Sequence, residues 1–443
     1  MSEIYLAPAG FFGIDHKKCL EIETHIQNNN FNTVPVRLPP PIMSTALKER
    51  MIADSLFLTD MIFSIPDKIF YGNHSLFAQT LKVDKQLEHL VERLSKKEWK
   101  ERAQKFYRPD FLLTTTGLRM VENNIDTNLG GIGLCDAVIA EFQTRANIAP
   151  HFLQEKNLNY FSVDKQWSKT LRTLLNAKKT SAGKKPVFFS AYHSNAADPE
   201  NDFTTSGYNA CIINNGFTLL CGPIADLSIN ENNITYQGVE IDIVYTDFSF
   251  PEFLENHQPL SIIDALINAD ERGQVLYLSP PASMMYDNKA ILSFLTNEEY
   301  KEFFNVEEWS RLAQLIPHTH IVNEQSLEYC LQNRENLVLK PGFDFGGRNV
   351  FFGAELDATQ WSTMIKEAMT TVLPTVVQEV VTDQVKIYDS ETSNFFHFCL
   401  SPLFFNNEFA GCLYRESNEP DAQNPIINAS RGSKFSSIYV KIS

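Results

Sequence analysis

The sequence predicts a mixed α/β protein, in which an α/β region is combined with α+β regions. Between residues 186 and 285, apolar strands such as VFFSAY and TLLCGPI alternate with helical patterns, which is typical of an α/β subdomain with some parallel pairing. From PTVVQEVV to the end, the chain is rich in strands of antiparallel style. With 443 residues, 43% of them hydrophobic, the chain has room for roughly two to three domains with packed cores.

We expect three regions along the chain: an N-terminal region of residues 1-180, the α/β subdomain of residues 186-285 and a C-terminal region of residues 286-443. The stretch AKKTSAGKK at 177–185 marks the first boundary, because small and charged residues in such a run are typical of an exposed linker.

The composition argues against several classes of partner. A formal net charge of −16 disfavours nucleic acid or an anionic membrane as the main partner, although it allows a locally basic cleft. The chain has no apolar run near the ~20 residues of a membrane span, and its start lacks the segments of a signal peptide. Its seven scattered cysteines, none in a C-x-x-C pair, favour reduced thiols. We therefore expect a cytoplasmic protein.

Two helices are indicated by spacing and capping. Residues 84 to 105 carry Leu87, Leu90 and Leu94 at helical spacing beneath a mixed charged face, which predicts an amphipathic helix. The stretch DATQWSTMIKEAMTTV begins with Asp357, a good N-cap residue, and predicts a second helix.

The stretch RPDFLLTTTGLRMVENNIDTNLGGIG, from Arg108 to Gly133, predicts a β-hairpin followed by a glycine-rich turn. The strands FLLT and LRMVE flank a Thr-Thr-Gly turn, in which Gly117 supplies the positive φ of a three-residue loop. The glycines of NLGGIG precede an apolar-periodic helix and form either an anion cradle or a tight turn.

The hairpin brings charged residues together. If Thr116 is the centre of the loop, Asp110 lies opposite Glu122 and Arg108 lies opposite Asn124, and all four side chains project from one face. Two opposed carboxylates destabilise a hairpin unless a cation lies between them. Two carboxylates and an amide oxygen suit Mg²⁺, and an arginine beside them suits a phosphoryl oxygen. The alternative is an edge hairpin with solvated charges and an incidental arginine.

Two further stretches are candidates for contact with a nucleotide. Lys340 ends the apolar strand NLVLK, and Gly346 and Gly347 follow it, so that an ammonium and backbone N–H groups can meet phosphates. An ordinary hairpin with a two-glycine turn is the alternative. In TVVQEVV the polar pair Gln378 and Glu379 interrupts a buried strand and needs a partner, either an adenine edge or a neighbouring strand.

Near the C-terminus, Arg415, Arg431 and Lys434 gather positive charge around EPDAQNP, a polar loop with the composition of a mobile lid. Salt-bridged surface residues are the alternative. His318 and His320 look like alternate positions on a strand, and the lack of an acidic or cysteine partner nearby disfavours a zinc site there.

The order of these motifs resembles the circularly permuted ATP-grasp proteins, of which glutathionylspermidine synthetase is the best known. The resemblance covers about residues 105 to 435 and runs through RPD…VENNIDTNLGG, IDIVY, DNK, VLKPGFDFGG, VVQEVV and LYR…NASRGSK. It implies a circularly permuted ATP-grasp fold with an inserted pre-ATP-grasp-like α/β subdomain. The metal-binding hairpin would then belong to the N-terminal region and the nucleotide-binding lobe to the C-terminal region.

The resemblance also implies roles for single residues. It assigns metal binding to Asp110, Glu122 and Asn124, binding of the γ-phosphate to Arg108, and stabilisation of an acyl phosphate to Arg415. It assigns ATP binding to Lys289, Lys340, Gly346, Gly347, Gln378, Glu379 and Val380.

The acceptor side departs from the family pattern. SRGSKFSSIYV is shorter than the usual S-R-G-G-x-S-K-D-x-W, and NFFHFCLSPLFF offers His397 where an arginine is usual. These departures indicate an unusual substrate or lost catalysis.

What the resemblance implies is an ATP-dependent carboxylate–amine ligase, in which the γ-phosphoryl of ATP is transferred to a carboxylate and an amine then displaces phosphate. We therefore expect ATP and Mg²⁺ as cofactors and a small carboxylate and an amine as partners, with a homodimer left open. Two alternatives stand beside it: a small-molecule kinase of the same fold, and a catalytically inactive ATP-binding or interaction protein. The four hairpin residues argue against inactivity, and the altered C-terminal segment argues for it.

Overall fold

The computed structural model describes residues 3–30, 34–83, 85–125, 129–178, 184–192, 203–246, 260–278, 283–343, 349–420, 426–428 and 431–442. Within them the chain has the predicted mixed α/β character, and several sheets are interleaved with helices. None of the described helices combines the length and the apolar character needed to cross a membrane.

The α-helices are α1 (His16–Asn30), α2 (Thr45–Lys68), α3 (His74–Thr80), α4 (Glu88–Leu94), α5 (Lys97–Ala103), α6 (Leu134–Arg145), α7 (Pro150–Glu155), α8 (Val163–Lys178), α9 (Phe203–Asn214), α10 (Leu260–Glu271), α11 (Ser283–Asp287), α12 (Ile291–Phe294), α13 (Val306–Leu315), α14 (Leu327–Gln332) and α15 (Ala358–Thr370). Short 3₁₀ helices lie at Ala9–Phe12, Lys85–Leu87, Ile224–Asp226, Glu298–Phe303, Arg334–Asn336 and Gly353–Glu355.

The strands are β1 (Ile4–Tyr5), β2 (Ile42–Ser44), β3 (Phe106–Thr114), β4 (Gly117–Asn124), β5 (Leu158–Asn159), β6 (Val187–Tyr192), β7 (Thr218–Pro223), β8 (Ser228–Ile229), β9 (Ile234–Tyr236), β10 (Val239–Glu240), β11 (Ile243–Thr246), β12 (Leu276–Tyr277), β13 (Thr319–Ile321), β14 (Leu337–Pro341), β15 (Phe351–Phe352), β16 (Thr375–Glu379), β17 (Ile387–Asp389), β18 (Asn394–Phe396), β19 (Phe398–Phe405), β20 (Glu408–Glu416), β21 (Lys434–Ser437) and β22 (Tyr439–Lys441).

A five-stranded antiparallel sheet in the order β21-β20-β19-β3-β4 separates the two largest apolar cores. Neighbouring residues of β20 show this, because Tyr414 packs into one core and Leu413 into the other. Alternation along each strand therefore gives the sheet two distinct faces. Arg108, Asp110 and Arg415 all lie on the face that Leu413 shares.

The β3–β4 hairpin has the predicted pairing at its functional end, with Arg108 opposite Asn124 and Asp110 opposite Glu122. The predicted three-residue loop is wrong. Thr114 pairs with Gly117, so the connection has two residues, and an irregularity beyond Asp110 restores the expected register. Gly117 does have the predicted positive φ, at 144°.

The tip of this hairpin is held by the segment 383–385, which follows β16 after a short connection. Thr115 donates its backbone N–H to the carbonyl of Asp383 at 3.2 Å, and Val385 donates to Leu113 at 2.8 Å. Thr114 also forms an antiparallel bridge with Gln384.

The β19–β20 hairpin contains a second irregularity of the same kind. Its turn residues Asn406 and Asn407 have φ of 55° and 62°, as a type I′ turn requires. Leu403 pairs with Gly411 but Phe404 pairs with Phe409, so one residue of β20 is skipped. This β-bulge turns the rest of β20 over and places Arg415 on the same face as Asp110.

The region 186–285 contains the parallel strand pairing that the sequence predicts. Its sheet has the order β12-β11-β6-β7, and all three pairings are parallel. Helices α9 and α10 occupy the connections, as predicted from YNACIINN and LSIIDALINADERG. A further sheet of β8, β9 and β10 is antiparallel.

In the C-terminal region, an antiparallel sheet in the order β13-β16-β14-β15 carries the strand that ends in Lys340. Asp357 caps helix α15 as predicted, because its side chain accepts from the backbone N–H groups of Thr359 and Gln360. The predicted single helix over 84 to 105 is wrong. It is broken between Leu94 and Lys97 into α4 and α5.

Candidate functional site

Asp110 on β3 lies at the centre of the candidate site and is 3% exposed. Its Oδ1 lies 3.2 Å from Nε of Arg108, two residues away on the same strand face. Its Oδ2 lies 2.6 Å from Nη2 of Arg415, which the bulge in β20 has turned toward it. Both oxygens of the carboxylate therefore face a guanidinium.

The charges around Asp110 determine its protonation. Burial alone would raise the pKa of Asp110, but Arg108 and Arg415 together hold the pKa below its ordinary value, at about 2. Burial likewise disfavours the charged form of Arg415, and the Asp110 carboxylate outweighs it, so the pKa of Arg415 is raised. The side chains of Asp110 and Arg415 are thus charged at neutral pH.

Ser401 on β19 supports this triad. Its hydroxyl accepts from Nη2 of Arg415 at 2.8 Å and also hydrogen-bonds to the Asp110 carboxylate, whose pKa it helps to lower. Ser401 is fully buried. Nε of Arg415, in contrast, is buried and makes no hydrogen bond within the described part of the chain.

Glu122 on β4 belongs to the same site. Its Oε1 lies 2.7 Å from Nζ of Lys289, which reaches it from the turn after α11. Burial lowers the pKa of Lys289, but Glu122 outweighs this effect, so the pKa is raised and the side chain stays protonated. The end of β4 is fixed to the same segment, because Asp287 accepts from the backbone N–H of Ile125 at 2.9 Å.

Lys340 lies against β4, at the irregularity of that strand. Its Nζ is 2.7 Å from Oε1 of Gln378 and 3.5 Å from the carbonyl of Val121. Burial lowers the pKa of Lys340 to about 8, despite the nearby Glu122 carboxylate. Gln378 is itself buried and donates to Oγ1 of Thr319 at 3.1 Å. Gln378 therefore positions the lysine.

Glu379 and Val380, predicted beside adenine, use some of their groups within the protein. Glu379 pairs with Leu337, so strand alternation directs its side chain away from Lys340, and its Oε1 accepts from the hydroxyl of Tyr329 at 3.3 Å. The N–H of Val380 donates to the carbonyl of Asn336 at 2.8 Å.

Two of the three predicted metal ligands keep an oxygen that could bind a hard cation, whereas both oxygens of Asp110 already face a guanidinium. Glu122 uses only Oε1 within the described part of the chain, and Asn124 donates through Nδ2 to the carbonyl of Arg108 at 3.0 Å, so one oxygen of each has no partner there. The described residues contain no cluster of three or more His, Cys, Asp or Glu side chains that could hold a metal ion. An incomplete set of oxygen donors suits Mg²⁺, which is usually shared with substrate phosphates.

The site has an excess of positive charge, although the chain as a whole is acidic. Four basic side chains outnumber three carboxylates, because Asp287 also interacts with Lys289, and each basic group interacts electrostatically with Asp110, with Glu122 or with both: Arg108, Lys289, Lys340 and Arg415. A group carrying several negative charges would balance this excess and could accept from the unbonded Nε of Arg415. The arrangement therefore suits a polyanion such as a nucleoside triphosphate.

Two backbone glycines border the site. Nη1 of Arg108 donates to the carbonyl of Gly130 at 2.9 Å, and a Cβ on Gly130 would lie only 2.9 Å from that nitrogen. The N–H of Gly133, just before α6, donates to Asp164 at 2.8 Å and is thus already satisfied. The turn therefore holds the Arg108 guanidinium in place through the Gly130 carbonyl.

Several predicted features fall outside the described residues, namely Gly346 and Gly347, most of the EPDAQNP loop and the centre of the 177–185 stretch. The predicted gathering of basic residues at the C-terminus is wrong. Arg415 and Lys434 lie on opposite faces of the sheet, since Lys434 pairs with Glu416, and Arg431 is exposed.

His318 and His320 do lie on one face of a strand pair, with ring centroids 4.5 Å apart. Their neighbour is the ring of Tyr329, whose centroid lies 4.4 Å from that of His320. Burial, together with the neighbouring His318, lowers the pKa of His320 to about 4. The pair thus belongs to an aromatic cluster on the face of the β13-β16-β14-β15 sheet opposite Lys340.

The sequence analysis missed Ser401 and Thr319, and it singled out the turn that contains Gly130 without its contact to Arg108. Ser401 stands two residues after Cys399 in an otherwise apolar strand, which marks a polar face but not its partner. The pairing of that face with Arg415 depends on the bulge in β20. The sequence signal for this bulge is Gly411, a glycine inside a strand pattern. Its φ in the structure is 145°.

Comparison with known proteins identifies a family for the chain. The model of the family described as glutathionylspermidine synthase pre-ATP-grasp matches residues 44–425. A search of curated protein sequences finds no match to the chain.

Among solved structures, a glutathione synthetase-like effector from Globodera pallida, in its apo form, is 13% identical with a TM-score of 0.58, and the match covers 98% of this chain and 100% of that one. A candidate gamma-glutamylcysteine synthetase from Methylobacillus flagellatus is 12% identical with a TM-score of 0.41, covering 80% and 85%. The first likeness supports the fold alone, and the second is too distant to support an argument. On the family match over most of its length, the chain belongs to the glutathionylspermidine synthase pre-ATP-grasp family.

Proposed function

We propose that the protein is an ATP-dependent carboxylate–amine ligase that works through an acyl-phosphate intermediate. The observation that carries this proposal is the convergence of four basic side chains and two carboxylates on one sheet face, where buried guanidinium and ammonium groups exceed the carboxylates. Membership of the synthase family supports a ligase in general. We propose also that the fold is a circularly permuted ATP-grasp, in which residues 186-285 are an inserted pre-ATP-grasp-like subdomain, flanked by regions 1-180 and 286-443.

In this mechanism the protein positions and neutralises charge, because phosphoryl transfer needs little covalent help from protein groups. Arg108 and Lys340 bind the γ-phosphate oxygens. Arg415, held by Asp110 and Ser401, directs its unbonded Nε at the acyl phosphate. Mg²⁺, held by Asp110, Glu122 and Asn124, would supply further neutralisation of the phosphates.

The nucleotide side of the proposal rests on Lys289, Lys340 and the strand β16. Adenine would lie along the backbone at Glu379 and Val380, with Gln378 acting through Lys340. Gly346 and Gly347 would close over the phosphates. The substrates would be a small carboxylic or amino acid and an amine.

The test is ADP release from ATP and Mg²⁺ in the presence of amino acids, short peptides and polyamines. A ligase releases ADP and phosphate only when both a carboxylate and an amine are present. Glu122→Gln should lower this rate by about 100-fold or more, because it removes a charge beside the transferred group. Glu298→Gln is the matched control, since Glu298 also pairs with a lysine, Lys301 at 3.0 Å, but at the surface.

The other outcomes are distinct. A stable phosphorylated acid formed without an amine would identify a small-molecule kinase and refute the ligase. Failure of ATP to raise the melting temperature would refute nucleotide binding itself.

A further inference from the structure

His397 lies in the link between β18 and β19 and is 7% exposed. Its backbone carbonyl accepts from the N–H of Ser417 at 2.8 Å, so the residue continues the β19–β20 ladder. Strand alternation then puts His397 on the same face as Cys399, the residue that pairs with Arg415. His397 is therefore a buried, ionisable side chain on the face of the candidate site, and the proposed mechanism gives it no role.

One nitrogen of the His397 imidazole contacts Gln384, in the segment that follows β16. Nε2 of Gln384 donates to the carbonyl of Val381 at 2.8 Å. Because a main-chain carbonyl can only accept, this hydrogen bond fixes the orientation of the amide, and Oε1 of Gln384 then faces Nδ1 of His397 at 3.0 Å. An amide oxygen also can only accept, so Nδ1 of His397 carries a proton and is the donor.

These two hydrogen bonds connect the five-stranded sheet to the segment along which adenine would lie. Residues 380–382 follow the end of β16. The N–H of Val380 donates to a backbone carbonyl at 2.8 Å, which fixes the start of this segment. Its middle is fixed through the carbonyl of Val381, which Gln384 holds, and Gln384 is held in turn by His397.

This contact lies far from Arg108, where the transferred phosphoryl group would bind. Gln384 pairs with Thr114, which is six residues from Arg108 along β3, or about 20 Å on an extended strand. On sequence grounds His397 was grouped with the acceptor side. The structure places it instead beside the segment that follows β16.

We propose that His397 is a positioning residue for the nucleotide. Through the amide of Gln384 it holds the carbonyl of Val381, and with it the backbone along which adenine would lie. This role rests on the proposed function, since it concerns the nucleotide that the ligase would use. Loss of the contact weakens the binding of ATP and leaves kcat and the binding of the carboxylate and the amine unchanged, because other contacts hold the phosphate-binding side chains.

The experiment compares three substitutions of His397 by calorimetric titration of the full chain with ATP and Mg²⁺. His397→Asn keeps an N–H donor close to the position of Nδ1, whereas His397→Gln moves the donor toward the position of Nε2 and His397→Ala removes it. We expect the Ala and Gln variants to bind ATP about five- to tenfold more weakly, and the Asn variant to bind it as the wild type does. In steady-state assays, KM for ATP should rise by the same factor at unchanged kcat.

Two further variants sharpen the comparison. Gln384→Ala should weaken ATP binding by a similar factor, and combining it with His397→Ala should add no further loss, because both substitutions break one chain of hydrogen bonds. His89→Ala is the matched control and should bind ATP normally. Nδ1 of His89 also contacts a carbonyl oxygen, that of Gln86 at 3.1 Å, but its side chain is exposed.

A second measurement needs no nucleotide. Hydrogen exchange of residues 380–385 should be faster in His397→Ala and His397→Gln than in the wild type and His397→Asn. The positioning role alone is refuted if the wild type and His397→Ala bind ATP equally, if His397→Asn does not restore binding, or if exchange is unchanged. A wild type that binds no ATP refutes the proposed function and the nucleotide role of His397 together, even if exchange follows the expected order.

Discussion

The hydroxyl of Ser401 connects a buried carboxylate to a buried guanidinium. Arg415 and Asp110 are 7% and 3% exposed, so neither can replace a lost protein contact with bulk water. Hydrogen bonds to charged groups contribute more than neutral ones, and a buried charged group that loses a partner bears most of the cost. The candidate site therefore depends on a side chain that has no charge of its own.

We expect Ser401→Ala to lower the free energy of unfolding by about 1–3 kcal/mol, because Nη2 of Arg415 loses one of its acceptors, at 2.8 Å, and the Asp110 carboxylate loses a hydrogen bond. Chemical denaturation measures this change. Ser436→Ala is the control: Ser436 is equally buried, but its Oγ has no hydrogen-bond partner in the described residues, so its removal should cost about 1 kcal/mol or less. Equal effects of the two substitutions would show that the contact to Arg415 contributes nothing specific.

Helix α6 begins beside two carboxylates. Asp164 accepts from the N–H of Gly133 at 2.8 Å, and its own N–H donates to Asp136 at 3.0 Å. Burial, followed by repulsion from Asp136, raises the pKa of Asp164 from 3.8 to about 7. The folded protein thus retains a proton at a pH where the unfolded chain has released it.

This proton makes stability depend on pH. Between about pH 4 and pH 7 the unfolded state ionises Asp164 while the folded state does not, so the free energy of unfolding should fall as pH rises and then level off above pH 7. Asp164→Asn should abolish about 1–3 kcal/mol of this fall, measured by denaturation at pH 5 and pH 8. Asp226→Asn, at an exposed aspartate, is the control. The prediction is contradicted if the difference in free energy of unfolding between the wild type and Asp164→Asn is the same at pH 5 and at pH 8.

The two hairpins of the central sheet show what sequence can and cannot predict. The pairing of Asp110 with Glu122 was predicted correctly because two errors cancelled, a loop one residue too long and a missed irregularity at Val121. No residue type marks that position, since Val121 is a normal strand residue. In β20 the bulge near Gly411 had a signal in the glycine, but its effect, which is to turn Arg415 over, follows only from the paired register.

Contacts between distant parts of the chain could not be predicted from periodicity. Lys289 meets Glu122, and Lys434 turns away from Arg415, because of how the strands and turns pack rather than because of local pattern. Helices, the parallel subdomain and the hairpin followed from spacing and turn residues. The hairpin residues and Lys340 were singled out by pattern and their roles by resemblance, whereas the contacts among elements distant in sequence required the three-dimensional structure.

A buried ionic cluster joins the N-terminal helices to the α/β region. Asp270 on α10 is fully buried and accepts from Arg102 on α5 through both oxygens, at 2.6 and 3.0 Å. Lys178, the last residue of α8, lies 2.6 Å from the same carboxylate. Three helices that are far apart in sequence are therefore joined through one buried carboxylate.

We expect Arg102→Ala to lower the free energy of unfolding by about 3–5 kcal/mol, because it leaves Asp270 buried with one cation only. Arg93→Ala is the control. Arg93 joins the same helix α10 through Glu271 at 2.6 Å, but it lies nearer the surface and its loss should cost about 1 kcal/mol or less. Chemical denaturation of both variants tests the contrast, and similar losses would show that burial of the pair is unimportant.

The contact between the hairpin tip and the segment after β16 limits how far the β13-β16-β14-β15 sheet can separate from the β3–β4 hairpin. Only Val380, Val381 and Thr382 lie between the end of β16 at Glu379 and the hydrogen bond that Asp383 forms with Thr115. Three extended residues span at most about 10 Å, so this connection acts as a short tether between the β13-β16-β14-β15 sheet and the β3–β4 hairpin. While those hydrogen bonds hold, the sheet and the hairpin tip can rotate about the tether, but they cannot move apart by more than the tether's length.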